Sequence, residues 1–208
     1  MYFIYGDGGT GKTTLFKQFP GHKVLFSFDL STNPIKPEDN TDVITFDEAD
    51  SPSIQKLVDA SVRKLIAKKE YAAIALDNVT ALQNLVLENI DDASKDGRAN
   101  YQKLQLWFRR LGVTLRHSGT MIYETAHQLD KTGDDMTGKG RFEPDMNMRT
   151  FNAFTATFDM VGRIYKKDGA RMINTDPEQG DHGKNRVDDR TIFKAEDLLA
   201  GETNEGVK

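Results

Sequence analysis

The residues with the clearest chemistry are the nine in "GDGGTGKTT", which begin at Gly6. Their spacing satisfies G-x-x-x-x-G-K-[ST], a glycine-rich loop that cradles phosphate when a strand precedes it and a helix follows. An apolar run, "YFIY", stands directly before the motif and predicts that strand. We therefore predict a phosphate-binding loop formed by Gly6, Asp7, Gly8, Gly9, Thr10, Gly11, Lys12, Thr13 and Thr14.

Two residues of this loop and one distant acid are expected to carry the charge chemistry. Lys12 should reach the β- and γ-phosphates, and the Thr13 hydroxyl should bind Mg²⁺. The second magnesium ligand is expected at the end of a buried strand, and Asp77 in "AAIALDN" occupies that position. The alternative is that Asp77 only caps a helix that starts near Thr80.

Motifs that are missing from the sequence narrow the class of protein. No D-x-x-G follows Asp77 and no N-K-x-D occurs anywhere, which argues against a regulatory GTPase. Asn78 stands where AAA-type ATPases frequently carry a second acid, so this position argues against that class too. An arginine-rich lid, which small nucleotide kinases use, is not evident.

The elements that must position these groups alternate between strand and helix patterns. Short β-branched or aromatic runs predict strands at residues 2–5, 23–28, 42–46, 71–77 and 120–125. Apolar residues at helical spacing predict helices over residues 53–69 and about 99–117. This alternation predicts an α/β fold with a mostly parallel central sheet flanked by helices. Asp168 and Gly169 predict the turn of a C-terminal β-hairpin.

Composition sets broader bounds. We expect a single domain over residues 1–208, with a frayed tail from about residue 195. The chain has no cysteine, and none of its apolar runs approaches the roughly 18 residues of a membrane span. The first residues show no signal pattern, so we expect a cytoplasmic protein without a membrane partner. With a net charge of −4, any nucleic-acid binding must depend on a local patch.

Taken together, these motifs resemble the RecA-like P-loop ATPases, and in particular small phage proteins of the nucleotide-binding and single-strand-annealing type. The resemblance covers about residues 1–193 and depends on the loop, "IALDN", "TMIYETAHQ", "FDMVGRIYKK" and "HGKNR". It implies a RecA-like core, ATP and Mg²⁺ as cofactors, and ATP hydrolysis on single-stranded DNA in recombination or replication. It also implies a homo-oligomer with ATP at its subunit interfaces, and a single-strand-binding or replication protein as a possible further partner.

The same resemblance assigns catalytic roles to residues outside the loop. Asp29, in "FSFDLS", occupies the place of the carboxylate that positions the attacking water, although the family usually has Glu there. The alternatives for this base are Glu48 and Glu124. His127 occupies the place of a polar sensor of the γ-phosphate, the alternative being a solvated histidine at a strand end. All of these remain hypotheses at the level of the sequence.

Two cations near the C-terminus resemble the Lys-x-Arg pair of hexameric DnaB-type helicases. They are Lys184 and Arg186, and positions two apart on a strand point to the same face. Both would then reach a γ-phosphate across a subunit interface. The alternative is that both face solvent at a hairpin edge.

Two regions are candidates for contacting DNA. Residues 128–149 form a long connection with little periodicity, and it contains Lys139, Arg141 and Phe142, which suit phosphate neutralisation and base stacking. Acidic residues in the same stretch offset this charge, so a mobile polar loop is the alternative. The second region is the basic set on or beside the long helix, namely Arg98, Lys103, Arg109, Arg110 and Arg116.

The sequence leaves two functions in competition. The first is a DNA-dependent ATPase that assembles on single strands. The second is a nucleotide-switched loader or partner-binding module that hydrolyses little ATP, which the shorter side chain of Asp29 favours.

Overall fold

The computed structural model describes residues 1–90, 97–134, 141–177 and 180–201. Within them, ten strands join in one sheet. The strands are β1 (Tyr2–Gly6), β2 (Lys23–Ser27), β3 (Thr41–Thr45), β4 (Ala73–Asp77), β5 (Met121–Asp130), β6 (Phe142–Pro144), β7 (Met160–Lys167), β8 (Ala170–Asn174), β9 (Lys184–Asn185) and β10 (Ile192–Lys194).

The sheet is mostly parallel, which confirms the prediction. Its strand order is β10-β8-β7-β1-β5-β4-β2-β3, and the six strands from β7 to β3 are parallel. The short strands β6, β8, β9 and β10 pair antiparallel. One strand, β5, separates the loop strand β1 from β4, which ends at Asp77. The carboxyl ends of the parallel strands therefore meet at one edge, where ligands bind in sheets of this kind.

Helices cover both faces of the sheet, but unevenly. They are α1 (Lys12–Leu15), α2 (Ile54–Lys68), α3 (Val79–Glu88), α4 (Gly97–Arg116) and α5 (Met148–Thr155). Helices α2 to α5 bury their apolar residues against one face, among them the predicted stripe of α4 from Leu104 to Leu115. The other face is covered by Leu15, Phe16 and Phe19 after the loop, together with Leu198.

The C-terminal hairpin lies where the sequence predicts it. Strands β7 and β8 pair antiparallel across a turn at Asp168 and Gly169. Both turn residues have positive φ, 51° and 79°, as a two-residue turn of this class requires.

Two expectations about irregular segments are wrong. The tail does not fray at residue 195, because Ala195 and Leu198 are buried in the core beside α1. The connection over residues 128–149 is structured at both ends, because β5 continues to Asp130 and pairs there with β6. A strand of three residues is too short to show periodicity, so only the pairing reveals it. Residues 135–140 lie outside the described residues.

None of the helices in the described ranges combines the length and the hydropathy that crossing a bilayer requires.

Candidate nucleotide-binding site

The phosphate-binding loop connects the buried end of β1 to α1 and has the backbone that its glycines predict. Gly9 and Gly11 have positive φ, 70° and 96°, which other residues rarely adopt. At Gly6 the obstacle is steric: a Cβ would lie 2.4 Å from the carbonyl oxygen of Ile164 on β7. The loop turns back on itself through the Thr10 hydroxyl, which donates to the Asp7 carbonyl at 2.8 Å.

Lys12 lies inside this loop. Its ammonium group donates to the carbonyl oxygens of Gly6 and Asp7, both at 2.9 Å. Burial lowers its pKa, while the negative charges of Asp77, Asp7 and Asp29 act in the opposite direction. The ammonium is therefore held within the loop by two backbone carbonyls, near the charges of three acids.

Asp77 is buried at the end of β4, on the same sheet face as the loop. The Thr125 hydroxyl donates to its Oδ1, whereas its buried Oδ2 has no hydrogen bond of regular geometry. Burial raises the pKa of Asp77, and the hydroxyls of Thr125 and Thr13 partly offset this rise. An unsatisfied buried oxygen is costly unless a ligand meets it.

The residues around Asp77 fit a magnesium ion. Mg²⁺ binds oxygen ligands, commonly one or two carboxylates together with substrate phosphates. The orphaned Oδ2 of Asp77 and the adjacent Thr13 hydroxyl supply oxygen donors of that type. The helix cap, by contrast, is provided by Asn78, whose Oδ1 accepts from the N–H of Ala81 at 2.9 Å. This observation removes the alternative role for Asp77.

Asn78 also joins the two predicted catalytic residues. Its side-chain Nδ2 donates to Oδ2 of Asp29 and lies 3.2 Å from Nε2 of His127. His127 is itself placed by register, because it pairs with Gly6 across β1 and β5. The structure thus brings Asp29, Asn78 and His127 together beside the loop and Asp77.

Of the three candidates for the base, only two lie near this group. Glu48 lines the same cavity as Asp29, at the carboxyl ends of β2 and β3. Glu124 is fully buried, and because side chains alternate along β5 it lies on the sheet face opposite Thr125 and Asp77. Burial raises the pKa of Glu124 well above its usual range. Glu124 is therefore wrong as a base for this site.

Lys184 and Arg186 lie near the amino ends of β1 and β7, whereas the phosphate-binding loop follows the carboxyl end of β1. Asn185 of β9 pairs with Met160 on β7, and Met160 pairs with Tyr2 on β1. Tyr2 lies about 13 Å from Gly6 along β1. The Lys184 ammonium donates to the Thr155 carbonyl at 2.9 Å, and burial lowers its pKa. Arg186 lies beyond β9 and is exposed. The two cations are therefore not equivalent, and only Arg186 presents an exposed side chain.

The candidate DNA residues are partly engaged inside the chain. The Arg163 guanidinium covers one face of the Phe142 ring, 3.3 Å from the ring centroid. The prediction that a DNA base stacks on Phe142 is therefore wrong for that face. Arg141 is exposed and pairs with Glu143 at 2.6 Å. Lys139 lies outside the described residues. On α4, Arg109 and Arg110 are exposed, whereas Arg116 pairs with Asp159.

Three site residues had no role in the sequence interpretation. In the sequence, Asn78 stands out only as a missing acid, although Asn directly before a helix is a strong cap signal. Thr125 bonds Asp77, and the Tyr123 hydroxyl donates to the Lys12 carbonyl at 2.8 Å. Their spacing of two residues along β5 was the available signal, since it places both on the face that carries the loop.

Comparison with known proteins gives one family. A family model described as an AAA domain matches residues 1–187, a span that includes every site residue discussed above. Among curated proteins, none matches the chain.

Proposed function

Because the chain belongs to the AAA domain family, we propose that it binds ATP with Mg²⁺ at the loop from Gly6 to Thr14 and hydrolyses the γ-phosphate. AAA domains are nucleotide-binding and hydrolysing P-loop proteins. The argument from Asn78 against AAA-type ATPases is therefore wrong, because the family model matches this chain although Asn stands at that position.

The observation that carries the proposal is the convergence of Lys12, Thr13 and Asp77 with the Asp29–Asn78–His127 group. A cation, two oxygen donors and a carboxylate beside a phosphate cradle are the parts that phosphoryl transfer to water requires. Catalysis of this kind depends on positioning and charge stabilisation more than on covalent chemistry.

Each group of the site has a separate role in this proposal. The backbone N–H groups of the loop and the Lys12 ammonium bind the β- and γ-phosphates. Thr13 and Asp77 would hold Mg²⁺, which when bound neutralises charge on the phosphate oxygens. Asp29 accepts a proton from the attacking water, and Asn78 fixes the carboxylate by its hydrogen bond. His127, linked to the same amide, senses the γ-phosphate.

Asp77→Asn tests the metal assignment. The substitution keeps the shape and the Thr125 contact but removes the charge facing Mg²⁺. Mutating a residue that only hydrogen-bonds a metal ligand typically weakens metal binding by roughly 10- to 100-fold. Because Asp77 is itself a proposed ligand, we expect the Mg²⁺ concentration for half-maximal hydrolysis to rise by at least this factor. Metal-free ATP binding should change little. The measurement is phosphate release over a magnesium titration, with Asp42→Asn, an exposed acid at the amino end of β3, as control. An unchanged magnesium dependence would contradict the assignment.

We further propose that the chain acts on single-stranded DNA in recombination or replication, as the phage-type resemblance implies. Support comes from β5, which carries His127 at the nucleotide site and then continues into the β5–β6 hairpin. The Asp145 N–H also donates to the His127 carbonyl at 2.8 Å, so both arms of the hairpin meet at the sensor. Binding of a DNA strand to the hairpin would thereby be coupled to the position of His127 beside the γ-phosphate.

Shortening the hairpin tests the DNA proposal. Lys131 N–H donates to the Arg141 carbonyl at 2.7 Å, so replacing residues 132–140 by Asn-Gly preserves the ladder. We expect DNA-stimulated hydrolysis to disappear while ATP binding is retained. Lys139→Ala with Arg141→Ala should reduce the salt slope of DNA binding by roughly 0.7 per lost phosphate contact. DNA binding with an unchanged slope would instead direct attention to Arg109 and Arg110 on α4.

We also propose that ATP lies at an interface between copies of the chain, with Arg186 of a neighbour reaching the γ-phosphate. The exposure of Arg186, and its distance from the loop of its own chain, support a role in trans over one in cis. The Lys184 ammonium is engaged by the Thr155 carbonyl of α5, which leaves the contact in trans to Arg186.

A second function is favoured by the contacts of Asp29. Both of its oxygens already accept hydrogen bonds, Oδ2 from Asn78 and Oδ1 from the Ser31 N–H at 2.9 Å. A carboxylate whose two oxygens both accept hydrogen bonds is less able to accept a proton from water. A nucleotide-switched loader or partner-binding module with little hydrolysis is therefore the second candidate.

A further inference from the structure

The position of the catalytic groups sets the direction in which a bound nucleotide must run. Strand β1 has β5 on one side and β7 on the other. Thr125, Asp77 and Asp29 all belong to the β5 side, at the ends of β5, β4 and β2. A nucleotide whose terminal phosphate faces these groups therefore extends its nucleoside towards β7 and the C-terminal hairpin.

A cavity of about 550 Å³ lies on that side. Thr14, Leu15 and Gln18 form one wall, and the hairpin and the C-terminal segment form the other. This volume lies within the usual range of small-molecule sites. The cavity begins at Thr14, the last residue of the predicted phosphate-binding loop.

The charge of the cavity favours an anion. Lys166 and Arg171 line it and stand directly opposite each other on β7 and β8, an arrangement that like charges disfavour. Within the described residues, neither has a carboxylate partner. The one lining acid, Glu196, pairs with Lys194 at 3.2 Å.

Arg171 also touches the phosphate-binding loop. A Cβ built on Gly11 would lie 2.9 Å from both Cζ and Nε of Arg171, so the guanidinium packs on the loop backbone where only glycine leaves room. The sequence interpretation assigned Arg171 no role. Its guanidinium provides several N–H donors in a fixed fork that matches phosphate oxygens.

We propose that this cavity binds the nucleoside of the nucleotide, and that Arg171 is a second cation, besides Lys12, for its phosphates. The inference rests on the proposed function at the loop. It names the hairpin as the second wall of the site, so the ligand class is a nucleoside triphosphate and not an isolated polyphosphate.

Calorimetric titration with two probes, ATP with Mg²⁺ and inorganic triphosphate with Mg²⁺, tests the inference. Arg171→Met should weaken both by about tenfold or more, because it removes charged hydrogen bonds to phosphate. Lys167→Met, a neighbouring exposed cation that does not line the cavity, is the matched control and should change neither. Ala170→Trp, which fills the cavity, should weaken ATP by about tenfold while triphosphate stays within about twofold.

Each outcome decides between the possibilities. If Arg171→Met binds both probes as the wild type does, Arg171 is a solvated cation and its assignment is overturned. If Ala170→Trp binds ATP normally, or weakens both probes equally, the nucleoside lies elsewhere. If the wild type binds neither probe, the proposed function itself fails and takes this inference with it. Should Ala170→Trp lower the melting temperature, Lys194→Trp, at an exposed position that lines the same cavity, takes its place with the same expected results.

Discussion

Lys12→Ala is expected to abolish most ATP binding and turnover. The variant removes the ammonium that the loop holds between the carbonyls of Gly6 and Asp7. Without it, the charge of the β- and γ-phosphates and the nearby charge of Asp77 are left uncompensated. Losing one preorganised donor of this kind lowers turnover by about 10²- to 10³-fold, and losing a charged hydrogen bond weakens binding by about ten- to a hundredfold.

The matched control is Lys17→Ala. Lys17 lies five residues further along the chain and forms a partly exposed ion pair with Asp39 at 2.9 Å, which contributes little. Calorimetry with ATP and a phosphate-release assay measure binding and turnover separately, and melting curves check that both variants fold. Normal hydrolysis by a folded Lys12→Ala protein would remove the entire site assignment.

Arg186→Ala is expected to lower turnover by about 10³- to 10⁵-fold when measured alone with DNA, the range for losing an arginine that stabilises transferring phosphate. Its own loop remains intact, so ATP binding should persist. Mixing it with Lys12→Ala, which keeps Arg186, should restore activity, because some interfaces then combine an intact loop with an intact arginine.

Arg63→Ala, which removes an exposed arginine on α2, serves as the control for the mixture. We expect it to retain turnover alone. Normal hydrolysis by Arg186→Ala alone would exclude the contribution in trans, and the nucleotide-switched module would then become the better proposal.

Site residues could be predicted from the sequence where they are consecutive or where they lie at the same edge of the sheet. The phosphate-binding loop could be predicted because nine consecutive residues carry it. The proximity of Asp77, Asp29 and His127 to that loop also follows from the sequence, since parallel strands present their carboxyl ends together. Knowing which runs are strands was enough for that inference.

Contacts that depend on tertiary pairing could not be predicted. Alternation along β5 indicates that Glu124 and Thr125 face opposite ways, but only the register with β1 and β4 shows which of them faces the loop. The cover that Arg163 provides over Phe142, and the capture of Lys184 by Thr155, join residues more than 20 positions apart. No local pattern encodes them.

The central claim, Mg²⁺-dependent ATP hydrolysis at this site, is tested most directly by phosphate release from the wild-type protein with and without single-stranded DNA. We predict release that requires Mg²⁺, exceeds that of Lys12→Ala, and increases when DNA is added. Tight ATP binding with release no greater than that of Lys12→Ala, with or without DNA, would contradict the claim.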